Sequence, residues 1–177
     1  MSGRGHVVGF WEQIQSVLRT AFSAFQAPSD NAQDQRQTWL LEAWRTERRL
    51  SIQLRHIAPH IPYAQYRTCL ETMAQEDARH AELLHERLEV VGGITPPPLK
   101  IEDVWQDSNA GGVYRALQRL LVETRELYES YRHQVSMFDD PGWQALLRHL
   151  QQDQERHQEQ IIELLMRLDA HVHETIT

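Results

Sequence analysis

An acidic run ending in Arg-His occurs twice in this chain, and the interval between the copies constrains the fold more than any other feature. Gln75-Glu76-Asp77-Ala78-Arg79-His80 returns 77 residues later as Gln152-Asp153-Gln154-Glu155-Arg156-His157. In each copy a polar residue stands three before the His and an acid stands four before it. Positions three and four apart share a helix face, so each copy aims an oxygen group and an imidazole at one point.

The apolar residues around each copy say where that point lies. The first line runs Tyr66, Leu70, Met73, Asp77, His80, Leu84, Leu88; the second runs Trp143, Leu147, Leu150, Gln154, His157, Ile161, Leu164, Leu168. Steps of three and four mark the inward seam of a bundle helix. Ligand-type residues thus stand where apolar ones belong, at the same level in two helices. Burying them unpartnered would cost about 2–7 kcal/mol per group. The seam therefore requires a metal ion or an internal hydrogen-bond network.

Pattern and punctuation give four core helices. The first, about 33–58, turns Leu40, Trp44, Glu47, Leu50, Leu54, Ile57 and Ile61 inward and is closed by Pro59 and Pro62. The second, about 63–91, stops at Gly92-Gly93. The third, about 113–138, follows Asn109-Ala110-Gly111-Gly112 and turns Val113, Leu117, Leu120, Thr124, Leu127, Tyr131 and Val135 inward. After a tight turn at Asp139-Asp140-Pro141-Gly142 comes the fourth, about 142–172. Between the second and third lies a long stretch with Pro96-Pro97-Pro98, in which Leu99, Ile101, Val104 and Trp105 are packing residues. Extended chain covers about 3.3 Å per residue, so this stretch can run the length of a bundle. The expected fold is all-α: two antiparallel hairpins joined by one long crossover, up-down-down-up.

Counted from the turns, Glu47, Asp77, His80, Glu123, Thr124 and His157 all lie roughly 20–28 Å along their helices, one layer built from four helices. The inward candidates are Glu47, Asp77, His80, Thr124, Gln154 and His157, with Glu123 one step off the seam. Carboxylates with imidazoles suit iron or manganese.

These segments resemble the ferritin-like superfamily, most closely the rubrerythrin-type four-helix bundles, over roughly residues 35–168. That family carries a Glu on the first helix, Glu-x-x-His on the second, a Glu on the third and a second Glu-x-x-His on the fourth. Glu47 looks like the first of these, Asp77-Ala78-Arg79-His80 like the second with Asp for Glu, and Gln154-Glu155-Arg156-His157 like the last with Gln for Glu. Where the third-helix Glu belongs, this chain has Thr124, and Glu123 next to it would serve only if that helix were overwound or bulged. The resemblance implies metal ligands Glu47, Asp77, His80, Glu123 and His157. Thr124 and Gln154 remove two negative charges, so one ion is expected rather than two. The implied function is a metal-binding bundle with an oxidase, peroxidase or iron-handling activity. The alternative is a non-catalytic scaffold whose N-terminal helix makes the interactions. No Cys-x-x-Cys pair exists to supply the iron–sulfur domain of full rubrerythrins.

Residues 1–30 are expected to form a separate amphipathic helix and linker ahead of a bundle over 31–177, with Phe10, Trp11, Ile14, Leu18, Phe22 and Phe25 on one face. Its polar face is Gln, Ser and Thr with one acid and one base, Glu12 and Arg19, so packing against a second copy in a dimer is favoured over peripheral docking on a membrane. A net charge of −7 argues against nucleic acid as a partner. A single cysteine, Cys69, and an N-terminus without a signal-peptide pattern point to the cytoplasm.

Overall fold

The computed structural model describes residues 32–92, 95–97, 99 and 110–174. The expected N-terminal amphipathic helix, and most of the crossover with Ile101, Val104 and Trp105, lie outside them. Among the described residues there are four long helices and no strand. They are α1 (Ala32–Ile57), α2 (Ala64–Gly92), α3 (Ala110–Val135) and α4 (Pro141–Glu174), with a 3-10 turn at Ala58–His60 after α1. None is long and apolar enough to cross a membrane.

The chain clusters into two units, one up to Trp39 and one from Leu40 onward. Of the first, the opening turns of α1 are described, where Thr38 donates to the carbonyl of Asp34 at 2.8 Å. The rest of α1 meets α2, α3 and α4 within the second unit. Ser51 Oγ donates to the carbonyl of Ala74 at 2.7 Å, which ties α1 to α2 in the interior. Tyr66 reaches Glu163 at 2.7 Å near one end of the α2–α4 contact, and Arg87 lies over the Trp143 ring at the other, so these two helices run in opposite directions. Glu47 meets Tyr131 while Arg49 meets Glu123, so α1 and α3 are also opposed. A short turn folds α4 back along α3.

The seams are buried as their spacing requires. Leu50, Leu54, Leu70, Met73, Leu84, Leu88, Leu117, Leu120, Leu147, Leu150, Ile161 and Leu164 make apolar layers above and below the ligand layer. Each such side chain contributes about 1.5–3 kcal/mol, enough in sum to carry one polar layer in the middle. Trp44, Tyr66, Val135, Trp143 and Leu168, expected inward, are only half-buried. Large rings at the rim keep one edge in water, and the Tyr66 hydroxyl reaches a surface carboxylate. Ala43 and Phe138 take interior places instead, Phe138 stacked on Trp143 at 4.8 Å.

The third helix begins earlier than expected, because Ala110 to Gly112 already form its first turn. Gly112 is buried there, where a residue without a side chain takes little room. The turn into α4 is capped by Asp140, whose carboxylate accepts from the Trp143 N–H at 2.8 Å, with Pro141 at the first helical position. A Cβ at Gly142 would come within 3.1 Å of that Asp140 oxygen, so glycine keeps the cap clear.

Candidate metal centre

Midway along the second unit the two copies of the Arg-His run face each other across α2 and α4. Glu47 from α1, Asp77 and His80 from α2, and His157 from α4 are each at most 2 % exposed. Thr124, Tyr131 and Gln154 are buried in the same layer. The imidazoles of His80 and His157 stack with centroids 6.4 Å apart.

Both rings turn the same nitrogen toward the middle. His157 Nδ1 lies 3.2 Å from Asp77 Oδ1. His80 Nδ1 lies 3.4 Å from Glu47 Oε1 and 3.9 Å from Asp77 Oδ1. Ligand atoms from Glu47, Asp77 and His80 all fall within 4.8 Å of one another. The outer nitrogens are held by carboxylates of the opposite helix: His80 Nε2 by Asp153 at 3.0 Å and His157 Nε2 by Glu76 at 2.7 Å. One guanidinium ties the two ends together, since Arg156 is 2.9 Å from both Glu76 and Asp153. With each Nε2–H donated outward, loss of the inner proton leaves each Nδ1 lone pair facing inward, the usual arrangement of metal-binding histidines.

Two neutral donors complete the layer. Tyr131 donates to Glu47 Oε1 at 2.6 Å. The Gln154 amide nitrogen lies 3.1 to 3.2 Å from both Glu47 oxygens and 3.1 Å from Asp77 Oδ1. Two buried polar atoms at the centre lack a hydrogen-bond partner, His80 Nδ1 and Gln154 Oε1.

Burial and mutual charge shift every titratable group in the layer, so that without an ion the protonated imidazoles balance the carboxylates. Burial and the charge of Asp77 push the Glu47 carboxyl up to about 7, with His80 and Tyr131 acting against them. Burial alone would push His80 down, but the surrounding carboxylates of Glu47, Asp77 and Asp153 raise it to about 9. His157 is raised in the same way by Asp77 and Glu76, against its burial. Burial acts to raise the outer carboxyls, yet both end below their ordinary values: His157 and Arg156 lower Glu76, and His80, Arg156 and His149 lower Asp153. Burial and Glu47 hold the Tyr131 phenol well above its usual range, so it stays a donor.

Glu123 is not brought to this cluster. Its carboxylate pairs with Arg49 at 3.1 Å on the half-buried flank between α1 and α3, and Thr124 takes the inward place. The helix runs unbroken through this stretch, with none of the bulging that Glu123 would need. A third buried carboxylate beside Glu47 and Asp77 would be costly, whereas Arg49 offers a solvated partner. Sequence reasoning also gave Glu76 and Arg156 no role at the site and took the inward Tyr131 for packing. The available signal was the acid four before each His, because Glu76 and Asp153 occupy equivalent places in the two copies. Each acid serves the histidine of the other copy, which only the pairing of α2 with α4 reveals.

Compared with protein-family models, curated proteins and solved structures, the chain matches none. What the cluster does must be read from its own atoms. An ion with ligands at about 2.0–2.2 Å sets neighbouring ligand atoms about 3.0–3.4 Å apart and opposed ones about 4.2 Å apart. The separations of 3.2 and 3.4 Å match neighbouring ligands, and 3.9 Å lies between the neighbouring and opposed values. Glu47, Asp77 and His80 bring two carboxylates and an imidazole within mutual reach, with His157 beside Asp77, and such oxygens and nitrogens are a donor set for a divalent transition ion. The residues present fit a metal.

Proposed function

We propose that this chain is a ferritin-like bundle that binds one iron or manganese ion through Glu47, Asp77, His80 and His157. The observation that carries this is the inward nitrogen of His80. It is buried and makes no hydrogen bond, although it lies 3.4 and 3.9 Å from two carboxylates. Those distances are long for a hydrogen bond and suited to edges of a coordination polyhedron. The helix directions support the fold assignment, since α1 opposes α2 and α3 while α4 opposes α2 and α3. That order is up-down-down-up with the long connection between α2 and α3. Bound there, iron or manganese would supply one-electron chemistry toward dioxygen or peroxide, and the activity we infer is that of an oxidase, a peroxidase or an iron-handling protein. The chain's own part is to hold the two imidazoles in one tautomer through Asp153 and Glu76, to keep Tyr131 protonated on Glu47, and to keep bulk water out.

A single ion follows from the pseudo-symmetry. Shifting Glu47 and Asp77 by the repeat interval lands on Thr124 and Gln154, neither of which brings a charge. The test is the metal content of full-length protein purified without chelator. About one ion per chain is expected, with affinity falling at least tenfold in Glu47→Gln and His80→Asn. Metal-free protein that takes up neither ion on addition would overturn the proposal.

One observation favours a second reading, a metal-free scaffold closed by hydrogen bonds. The Gln154 amide already donates toward three carboxylate oxygens. In that case the N-terminal segment, with Phe10, Trp11, Phe22 and Phe25, does the binding, in a dimer or on a membrane surface. Deleting residues 1–28, with light scattering and liposome co-sedimentation, separates these: a lost dimer supports the first and lost sedimentation the second.

A further inference from the structure

The buried cluster has no exposed ligand of its own, so an ion bound there must first be met somewhere nearer solvent. One ring reaches both ways. His80 faces the cluster with Nδ1 and faces Asp153 with Nε2, at 3.0 Å from Oδ2. On the solvent side of that same oxygen stands His149, one turn earlier on α4, with Nδ1 at 3.6 Å and its side chain 60 % exposed. The His80 and His149 rings meet edge to face at 6.0 Å. A nitrogen from each ring and an Asp153 oxygen all lie within 4.8 Å of one another.

We propose that His149, Asp153 and the outer nitrogen of His80 form a second, solvent-facing position for a divalent transition-metal ion, through which the buried site is loaded. The proposal rests on the metal-binding reading of the buried cluster. Two imidazole nitrogens and one carboxylate oxygen form a three-ligand set that leaves room for water, as a site of capture and release requires. The charge at this position is small. Arg156 holds the other oxygen of Asp153 at 2.9 Å and offsets its charge, so the ion is met without being trapped.

The shared ring also makes the two positions alternatives. A neutral imidazole keeps one N–H and offers one lone pair. With the ion on Nε2, the proton sits on Nδ1 facing Glu47; with the ion on Nδ1, the proton sits on Nε2 facing Asp153. Passage inward therefore releases the Nδ1 proton to the Glu47 side and returns one from solvent, by way of Asp153, to Nε2. The chain holds one ion at either position in turn.

The experiment is stopped-flow addition of cobalt(II) to the full-length chain, read by visible absorption. Wild type and His149→Ala are expected to reach the same final stoichiometry, with loading about tenfold slower in the variant, the lower end of what loss of an auxiliary ligand does. His85→Ala removes another partly exposed histidine, one that faces Glu89, and is expected to load at the wild-type rate. In Asp77→Asn, which weakens the buried site, cobalt should still perturb the His149 ring resonances. Equal loading rates in wild type and His149→Ala overturn the loading position and leave the buried site standing. Equal slowing by His85→Ala overturns it as well. No cobalt uptake by wild type overturns both.

Discussion

The ligand layer is asymmetric at the level of single residues, and the asymmetry predicts stoichiometry. Glu47 and Asp77 have as counterparts Thr124 and Gln154, at the same interval that relates His80 to His157. Replacing both, Thr124→Glu with Gln154→Glu, restores two carboxylates facing the existing pair. Metal-free, the double variant should be less stable than wild type, because four carboxylates would share one buried layer. With manganese or iron added, its stoichiometry should rise from one ion per chain to two and its melting temperature should recover. Equilibrium dialysis with metal analysis reads the first, and thermal unfolding the second. A stoichiometry that stays at one would show that side-chain charge is not what limits the site. Tyr131 gives a second residue-scale prediction. Tyr131→Phe leaves Glu47 without its shortest hydrogen bond, and urea unfolding should show a loss of about 1–3 kcal/mol in metal-free protein.

Between elements, one side chain of the α2–α4 contact touches the supports of both imidazoles. Arg156 bonds the outer carboxylates of both histidines, so one substitution loosens both rings. Arg156→Gln should lower metal affinity about 10- to 100-fold, as measured by competition with a chelating dye. Arg49→Gln removes an ion pair of similar length at the α1–α3 flank, away from the imidazoles, and should change affinity little and stability by no more than about 1 kcal/mol. The element scale is also where sequence reasoning succeeded and stopped. Hydrophobic spacing is a local property, so it placed Leu70, Met73, Asp77 and His80 on one inward line, and the repeat placed Gln154 and His157 opposite. The contacts that orient those residues cross between helices. Glu76 to His157, Asp153 to His80 and the Arg156 clamp depend on how α2 and α4 are paired and rotated. Spacing along one helix carries no record of that. Glu123 shows the same limit from the other side: one step off the seam, its partner was decided by Arg49 on a different helix.

For the molecule as a whole, protons and a metal ion compete for one cluster, and the competition fixes how stability responds to pH. His80 is raised from 6.5 to about 9, so in metal-free protein its contribution is fully present below pH 6.5 and is lost as pH climbs through about 9. His157 is raised too and acts in the same direction. Glu47, raised from 4.5 to about 7, favours the folded state in its protonated form, so stability falls again between those values as pH rises. Glu76 and Asp153 are lowered, and their contributions are present above the ordinary values of 4.5 and 3.8 and are lost on further acidification. The metal-free melting temperature should therefore peak in mildly acidic solution and decline steadily to beyond pH 9. Metal binding has the opposite sign. An imidazole nitrogen must shed its proton and a carboxyl must be ionised to act as a ligand, so affinity grows as pH rises. Thermal unfolding from pH 5 to 9.5, with and without manganese(II), should give two curves that diverge toward alkaline pH. A closed hydrogen-bond network without an ion gives the declining curve alone, and manganese then leaves it unmoved at every pH.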